Sequence, residues 1–89
     1  MTTNPTASSA LADLAVGATA SVLRVDGEDA LADRLRALGF WPGTPVVVGR
    51  RSPFGDPTEY RLRGYRLALR REEATRIVVT TGLDGPEAP

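Results

Sequence analysis

The hydrophobic and polar positions along the chain follow two different periods, and the change between them divides the sequence into elements. Residues 18–25 (ATASVLRV) alternate as in a half-buried strand. In the following segment, Leu31, Leu35 and Leu38 recur at i, i+4 and i+7, which places their side chains on one face of a helix. This pattern predicts a strand followed by one α-helix of about three turns.

The two ends of this helix carry recognisable signals. Asp26 can cap the free amides of the first turn, and Glu28 and Asp29 lie near the positive end of the helix dipole. Gly39 can adopt the left-handed conformation that ends a helix. Pro42-Gly43 suits the central positions of a type II turn, so the chain is expected to reverse there.

Alternation resumes after this turn and predicts a mainly β protein. A short helical turn is also expected at residues 11–14, before the first strand. The elements predicted after the helix are a strand at 44–51, a loop at 52–57, two hairpin strands within 58–70, a helical turn at 71–74 and a closing strand at 76–81. The residues assigned to the core are Leu31, Leu35, Leu38, Trp41, Leu62, Leu67 and Leu69. The fold class is therefore a small α+β protein, a five-stranded β-barrel with one helix inserted after the first strand.

The 89 residues are enough for one domain. Residues 1–10 and 82–89 are rich in Thr, Ser, Ala, Pro and Gly, and are predicted to be disordered tails around a single domain at 11–81. No apolar run approaches the roughly 20 residues that span a bilayer, so direct membrane insertion is not expected.

Four short segments in a fixed order resemble one known family, the ferrous iron transport protein A (FeoA) family. They are LGFWPGT at 38–44, PFGDP at 53–57, RGYRLALRREEA at 63–74 and IVV at 77–79. The resemblance implies an SH3-like barrel that is cytoplasmic in bacteria, or membrane-associated through its partner, the Fe(II) transporter FeoB. It also implies a regulatory accessory protein that contacts the cytoplasmic region of FeoB.

The side-chain chemistry agrees with a binding role. The chain contains no Cys, His or Lys, the residues that nucleophilic or acid–base catalysis near neutral pH usually uses, and its hydroxyl groups lack a base. Iron sites usually include imidazole or thiolate ligands, so no metal site and no cofactor are predicted. The carboxylate groups at 26–29 and 72–73 are interpreted as helix caps and dipole partners.

Charge is unevenly distributed along a chain whose net charge is zero. Residues 1–33 hold one Arg and five acids, residues 34–76 hold ten Arg and four acids, and the remainder holds two acids. The basic segment contains its own carboxylates, so nucleic-acid binding is not favoured. Arg and aromatic residues are typical of the centres of protein interfaces, which favours a protein partner.

A partner-binding site is predicted at the loop after the second long strand, together with the later hairpin turn. Its residues are Arg51, Phe54, Gly55, Asp56, Pro57, Gly64, Tyr65 and Arg66. Phe54 has no evident role in the core, although a loop folded back onto the barrel is an equal alternative. Trp41 is assigned to the core or its margin, with an expected loss of about 3 kcal/mol or more in Trp41→Ala.

Two further functional alternatives stay open. One is a general interaction module, such as a detached domain of the iron-dependent repressor type, that binds a peptide or nucleic acid. The other is an arginine finger supplied to a GTPase partner in trans. An exposed strand edge also leaves a weak homo-oligomer open.

Overall fold

The computed structural model describes residues 7–81, which form one antiparallel sheet with two short helices. The elements are β1 (Ala7–Ala10), a 3₁₀ turn (Leu11–Asp13), β2 (Thr19–Val25), α1 (Ala30–Ala37), β3 (Pro45–Arg51), β4 (Thr58–Leu62), β5 (Tyr65–Leu69), α2 (Arg71–Ala74) and β6 (Ile77–Thr81). The strand order is β1-β6-β2-β3-β4-β5. Strands β2 to β5 therefore form a meander, and β6 returns across the molecule to pair with β2.

The sheet has six strands, and the sequence predicted five. The additional strand, β1, has the sequence ASSA and pairs with the last four residues of β6. It carries no large apolar side chain, so its place depends on backbone pairing that no hydrophobic pattern records. β1 occupies the end of the segment predicted as an N-terminal tail. The rest of that segment and the predicted C-terminal tail lie outside the described residues.

Helix α1 is shorter than predicted. It spans eight residues, or about two turns, instead of three. The predicted cap, Asp26, pairs instead with the Arg24 side chain, and Asp29 caps the helix by accepting a hydrogen bond from the Ala32 amide at 3.2 Å. Gly27, at φ 101°, keeps the segment between Asp26 and Asp29 out of the helix.

Three of the seven predicted core residues are buried, and three more are partly buried against the core. Leu35, Leu62 and Leu69 are the buried ones, and Leu31, Leu38 and Leu67 are the partly buried ones.

The assignment of Trp41 to the core is wrong. Its side chain is 49% exposed, and its neighbour Phe40 is buried with 1% exposure. The Phe40 amide donates to the Leu35 carbonyl at the end of α1, and the chain turns after Gly39, which has a φ of 112°. The chain direction after this turn decides which of the two adjacent aromatic residues enters the core.

Two predicted turns are confirmed. Gly43 has a φ of 91°, and the Thr44 amide donates to the Trp41 carbonyl at 2.9 Å, as a type II turn requires. Arg63 and Gly64 both have positive φ and form a two-residue turn between β4 and β5, whose twist matches that of the paired strands.

The start of α1 is held against β6 by an ion pair between Asp29 and Arg76. Arg76 donates two hydrogen bonds to the Asp29 carboxylate, at 3.0 and 2.7 Å. These bonds, together with the bond from the Ala32 amide, hold the pKa of Asp29 well below its usual range. The pair therefore stabilises the folded state wherever Asp29 is ionised.

We expect Asp29→Asn to lower the thermal midpoint by several degrees at pH 7. A carboxyl group whose pKa is lower in the folded state stabilises the fold at every pH above its unfolded-state pKa of about 3.9. This stabilisation is lost as the pH falls toward the folded-state pKa. The difference between wild type and variant should therefore shrink as the pH falls from about 4 toward 2. Thermal melts followed by circular dichroism measure this difference.

The control for this prediction is Asp33→Asn, which removes an exposed carboxylate whose one ion pair within residues 7–81 is with Arg36, at 3.4 Å. It should change the midpoint little at any pH. A difference between Asp29→Asn and wild type that is the same at pH 2 and pH 7 would contradict the role of ionised Asp29.

Candidate interaction surface

The residues predicted to form one partner site lie in two places. The loop at 52–57, called the Phe54 loop below, joins β3 to β4, and the Arg63-Gly64 turn joins β4 to β5. They occupy opposite ends of β4, a five-residue strand with a length of about 17 Å. The structure therefore does not bring Phe54 and Tyr65 together, and each end is considered separately.

The Phe54 loop has a defined backbone conformation. The Ser52 amide donates to the Pro57 carbonyl at 3.0 Å, and the Gly55 amide donates to the Ser52 carbonyl at 2.8 Å. The Ser52 hydroxyl accepts from the Phe54 amide at 3.3 Å. These bonds close the loop on itself.

Asp56 attaches the same loop to α2. Its Oδ1 accepts a hydrogen bond from the Arg71 amide at 2.8 Å, at the first residue of the helix. A carboxylate is favourable at this position because the first amides of a helix lack partners within it. Asp56 is thus bound within the molecule and positions the loop.

Phe54 projects from this loop with 94% of its surface exposed. The alternative in which the loop folds back and anchors Phe54 on the barrel is therefore wrong. Covering this large apolar side chain with another protein surface removes it from water, which favours binding.

The other end of β4 carries two partly exposed aromatic residues that are tied to the C-terminus of α1. The Trp41 indole Nε1 donates to the Arg36 carbonyl at 2.7 Å, and the Tyr65 hydroxyl donates to the Leu38 carbonyl. The guanidinium carbon of Arg63 lies 4.7 Å from the centroid of the Trp41 ring, which is a cation–π geometry. These contacts give both aromatic side chains a structural role.

Two arginines of the predicted site also have partners within the molecule. Arg51 donates from Nε to the Thr58 hydroxyl and from Nη2 to the Leu14 carbonyl, both at 2.9 Å. It therefore holds the segment before β2 against β3. Arg66 is exposed, and its Nε lies 3.8 Å from a carboxylate oxygen of Glu59.

Sequence reasoning missed Phe40 and Arg63. Arg63 packs on Trp41, which is far from it in the chain, so no local spacing signals this contact. Phe40 was missed because the local pattern does not distinguish it from the adjacent Trp41. Among residues 7–81, no three carboxylate, imidazole or thiolate groups come together in a way that could hold a metal ion. No helix within that range is long and apolar enough to cross a membrane.

Comparison with known proteins places the chain in one family. The FeoA domain model matches residues 10–81. The chain is also 36% identical over 69 residues to the Fe(2+) transport protein A/Fe(2+) transporter FeoB fusion protein of Porphyromonas gingivalis. The matched region covers 78% of this chain and only 8% of the fusion protein.

Solved structures of similar proteins support the same assignment. The FeoA-like protein of Clostridium acetobutylicum superposes with a TM-score of 0.80 at 28% identity, over 91% of this chain and 94% of that one. FeoA of Stenotrophomonas maltophilia, solved in complex with zinc and described as a prokaryotic SH3 domain protein, has a TM-score of 0.70 at 38% identity, over 78% and 86% of the two chains. The predicted SH3-like fold is therefore confirmed, and the chain belongs to the FeoA family, which is associated with ferrous iron transport.

Proposed function

We propose that this protein is a non-catalytic accessory of ferrous iron uptake that acts by binding the cytoplasmic region of FeoB. The observation that carries this proposal is the relative in which a FeoA segment and FeoB share one polypeptide. A covalent link gives two domains a high effective concentration. The fusion therefore indicates that the FeoA fold and FeoB work side by side, and the proposal assigns this protein a surface that contacts FeoB.

The Phe54 loop is the surface that best fits this requirement. Interface energy is concentrated in a few buried anchors, among which aromatic residues are common. The hydrogen bonds of Ser52 and Asp56 already order the loop, so binding loses little conformational entropy there. Phe54 can therefore enter a pocket on the partner without a rearrangement of this protein.

The side-chain inventory supports binding over chemistry. The sequence contains no Cys, His or Lys, the residues that usually serve as nucleophiles or general acids and bases near neutral pH. Without His and Cys, the sequence also lacks the imidazole and thiolate ligands that are typical of iron sites. On this basis the Fe(II) ion is handled by the transporter, and this protein acts on the transporter from its cytoplasmic side.

We expect the purified protein to bind the purified cytoplasmic region of FeoB from the same organism. Isothermal titration calorimetry should show saturable binding with a dissociation constant in the micromolar range or tighter, as for a small specific interface. The control titration uses the thermally unfolded protein at the same concentration. If no binding is detected at about 100 μM, well above a micromolar dissociation constant, the proposal is wrong.

A separate measurement tests the division of roles between this protein and the transporter. Anaerobic equilibrium dialysis against Fe(II) should show no binding of micromolar affinity by the isolated protein. Tight Fe(II) binding would mean that the protein acts on the ion itself.

A further inference from the structure

A second surface lies on the solvent-facing side of the sheet, and Phe54 is not among the residues that line it. It is an open groove of about 660 Å³ across β3, β4 and β5, bounded by the segment before β2. We call it the arginine groove and define it by Val16, Gly17, Gly49, Arg50, Arg61 and Arg66. Local sequence patterns do not mark the arginine groove, because its residues come from four separate segments of the chain.

The floor of the arginine groove is open because residue 49 has no side chain. A Cβ atom at Gly49 would lie 3.1 Å from the backbone oxygen and from a carboxylate oxygen of Glu59 on the neighbouring strand. Contacts this short require the neighbour to move. Glycine at this position therefore leaves the space above β3 and β4 unfilled.

The arginine groove holds positive charge that the described residues do not neutralise. Within residues 7–81, neither Arg50 nor Arg61 has a carboxylate within 4.0 Å, and both are exposed. Arg66 reaches Glu59 only at 3.8 Å. Glu59 is the single acid among the lining residues.

The arginines outside the arginine groove that form ion pairs do so more closely, with nitrogen–oxygen distances of 2.7 to 3.4 Å. These pairs are Arg24–Asp26, Arg34–Glu73, Arg36–Asp33, Arg71–Asp13 and Arg76–Asp29. Within residues 7–81, five arginines have no carboxylate within 4.0 Å. Three of them, Arg50, Arg51 and Arg61, line the groove, and the other two, Arg63 and Arg70, lie outside it.

The rim of the arginine groove is held in place. Arg51 bonds to the Leu14 carbonyl, and the Gly17 amide donates to the Val48 carbonyl at 2.8 Å, so the segment before β2 is attached to β3. This attachment presents Val16 at the edge of the groove with 56% of its surface exposed. The groove therefore combines free guanidinium groups with one apolar contact.

We propose that the arginine groove binds an extended acidic segment of a partner polypeptide. Planar guanidinium groups bind carboxylates in a bidentate manner, and Arg50, Arg61 and Arg66 present three such groups. Val16 offers a contact for an aliphatic side chain between the acids. A nucleic acid is a less suitable ligand, because Glu59 would repel its phosphates and the sequence pI of about 6.2 is far from basic. This proposal does not depend on the partner being FeoB.

The test uses a fluorescein-labelled peptide of alternating Glu and Val, about ten residues long, and fluorescence anisotropy. A Gln-Val peptide of equal length and a labelled oligouridylate are the comparison probes. We expect saturable binding of the Glu-Val peptide alone, weakened at least about tenfold in the double variant Arg50→Gln/Arg61→Gln through loss of two charge-assisted contacts. The matched control, Arg24→Gln/Arg34→Gln, removes the same net charge outside the groove and should change affinity less than about twofold.

Three results would overturn the proposal. The first is that both double variants weaken binding of the Glu-Val peptide equally. The second is that oligouridylate binds more tightly than the Glu-Val peptide and that its binding depends on the groove arginines. The third is that the Glu-Val peptide shows no saturable binding at concentrations up to about 1 mM. Amide chemical shifts of the ¹⁵N-labelled wild type give an independent measurement if a variant fails to fold. The Glu-Val peptide should shift the amide signals of Gly17 and Gly49, and shifts confined to other regions would also contradict the proposal.

Discussion

Phe40→Ala is expected to unfold the domain, whereas Trp41→Ala should leave it folded. The Phe40 side chain is 1% exposed, and truncation of a buried phenylalanine costs about 3 to 5 kcal/mol. A domain of this size has a net stability of only a few kcal/mol, so this loss removes most or all of it. Circular dichroism and urea titration of the two variants measure the difference.

Trp41→Ala is the matched control because it truncates the adjacent aromatic residue. Trp41 is half exposed, and its removal loses one hydrogen bond to Arg36 and the contact with Arg63. These contacts together are worth about 1 to 2 kcal/mol, less than the 3 kcal/mol that a core position implies. Greater destabilisation by Trp41→Ala than by Phe40→Ala would show that the packing described here is wrong.

Phe54→Ala is expected to weaken binding to the cytoplasmic region of FeoB by about 30-fold or more while leaving stability unchanged. An aromatic anchor at the centre of an interface contributes about 2 kcal/mol or more, which corresponds to that factor. The side chain is almost fully exposed and contributes little to the fold, so the thermal midpoint should not move. Calorimetric titration and a thermal melt of the same sample measure both quantities.

Trp41→Ala also serves as the binding control for Phe54→Ala. Both variants truncate an exposed aromatic residue, and the two positions lie at opposite ends of β4. If the Phe54 loop is the contact, Phe54→Ala should weaken FeoB binding much more than Trp41→Ala. The reverse result would move the contact to the end that holds Trp41, Arg63 and Tyr65.

The Phe54 loop and the arginine groove are independent proposals. The first rests on an apolar side chain on an ordered loop, and the second rests on unneutralised guanidinium groups over an open floor. Loss of FeoB binding in Phe54→Ala with unchanged Glu-Val peptide binding would separate the two surfaces. Each proposal can therefore fail without the other.

The sequence by itself determined the local elements of this protein. The spacing of Leu31, Leu35 and Leu38 predicted α1, and the alternation of residues 58–70 predicted the β4–β5 hairpin. Pro42-Gly43 and Gly64 marked turns that the structure confirms. These signals are readable because helix periodicity, strand alternation and turn geometry each depend on residues within a few positions of one another.

Only the tertiary structure decided the features that depend on distant residues. The pairing of β1 with β6, the burial of Phe40 in place of Trp41 and the separation of Phe54 from Tyr65 all follow from the path of the chain in space. The surplus charge of the arginine groove likewise appears only once four segments lie side by side. The physical reason is that burial and charge neutralisation are set by neighbours in space, and hydrophobic periodicity reports only neighbours in sequence.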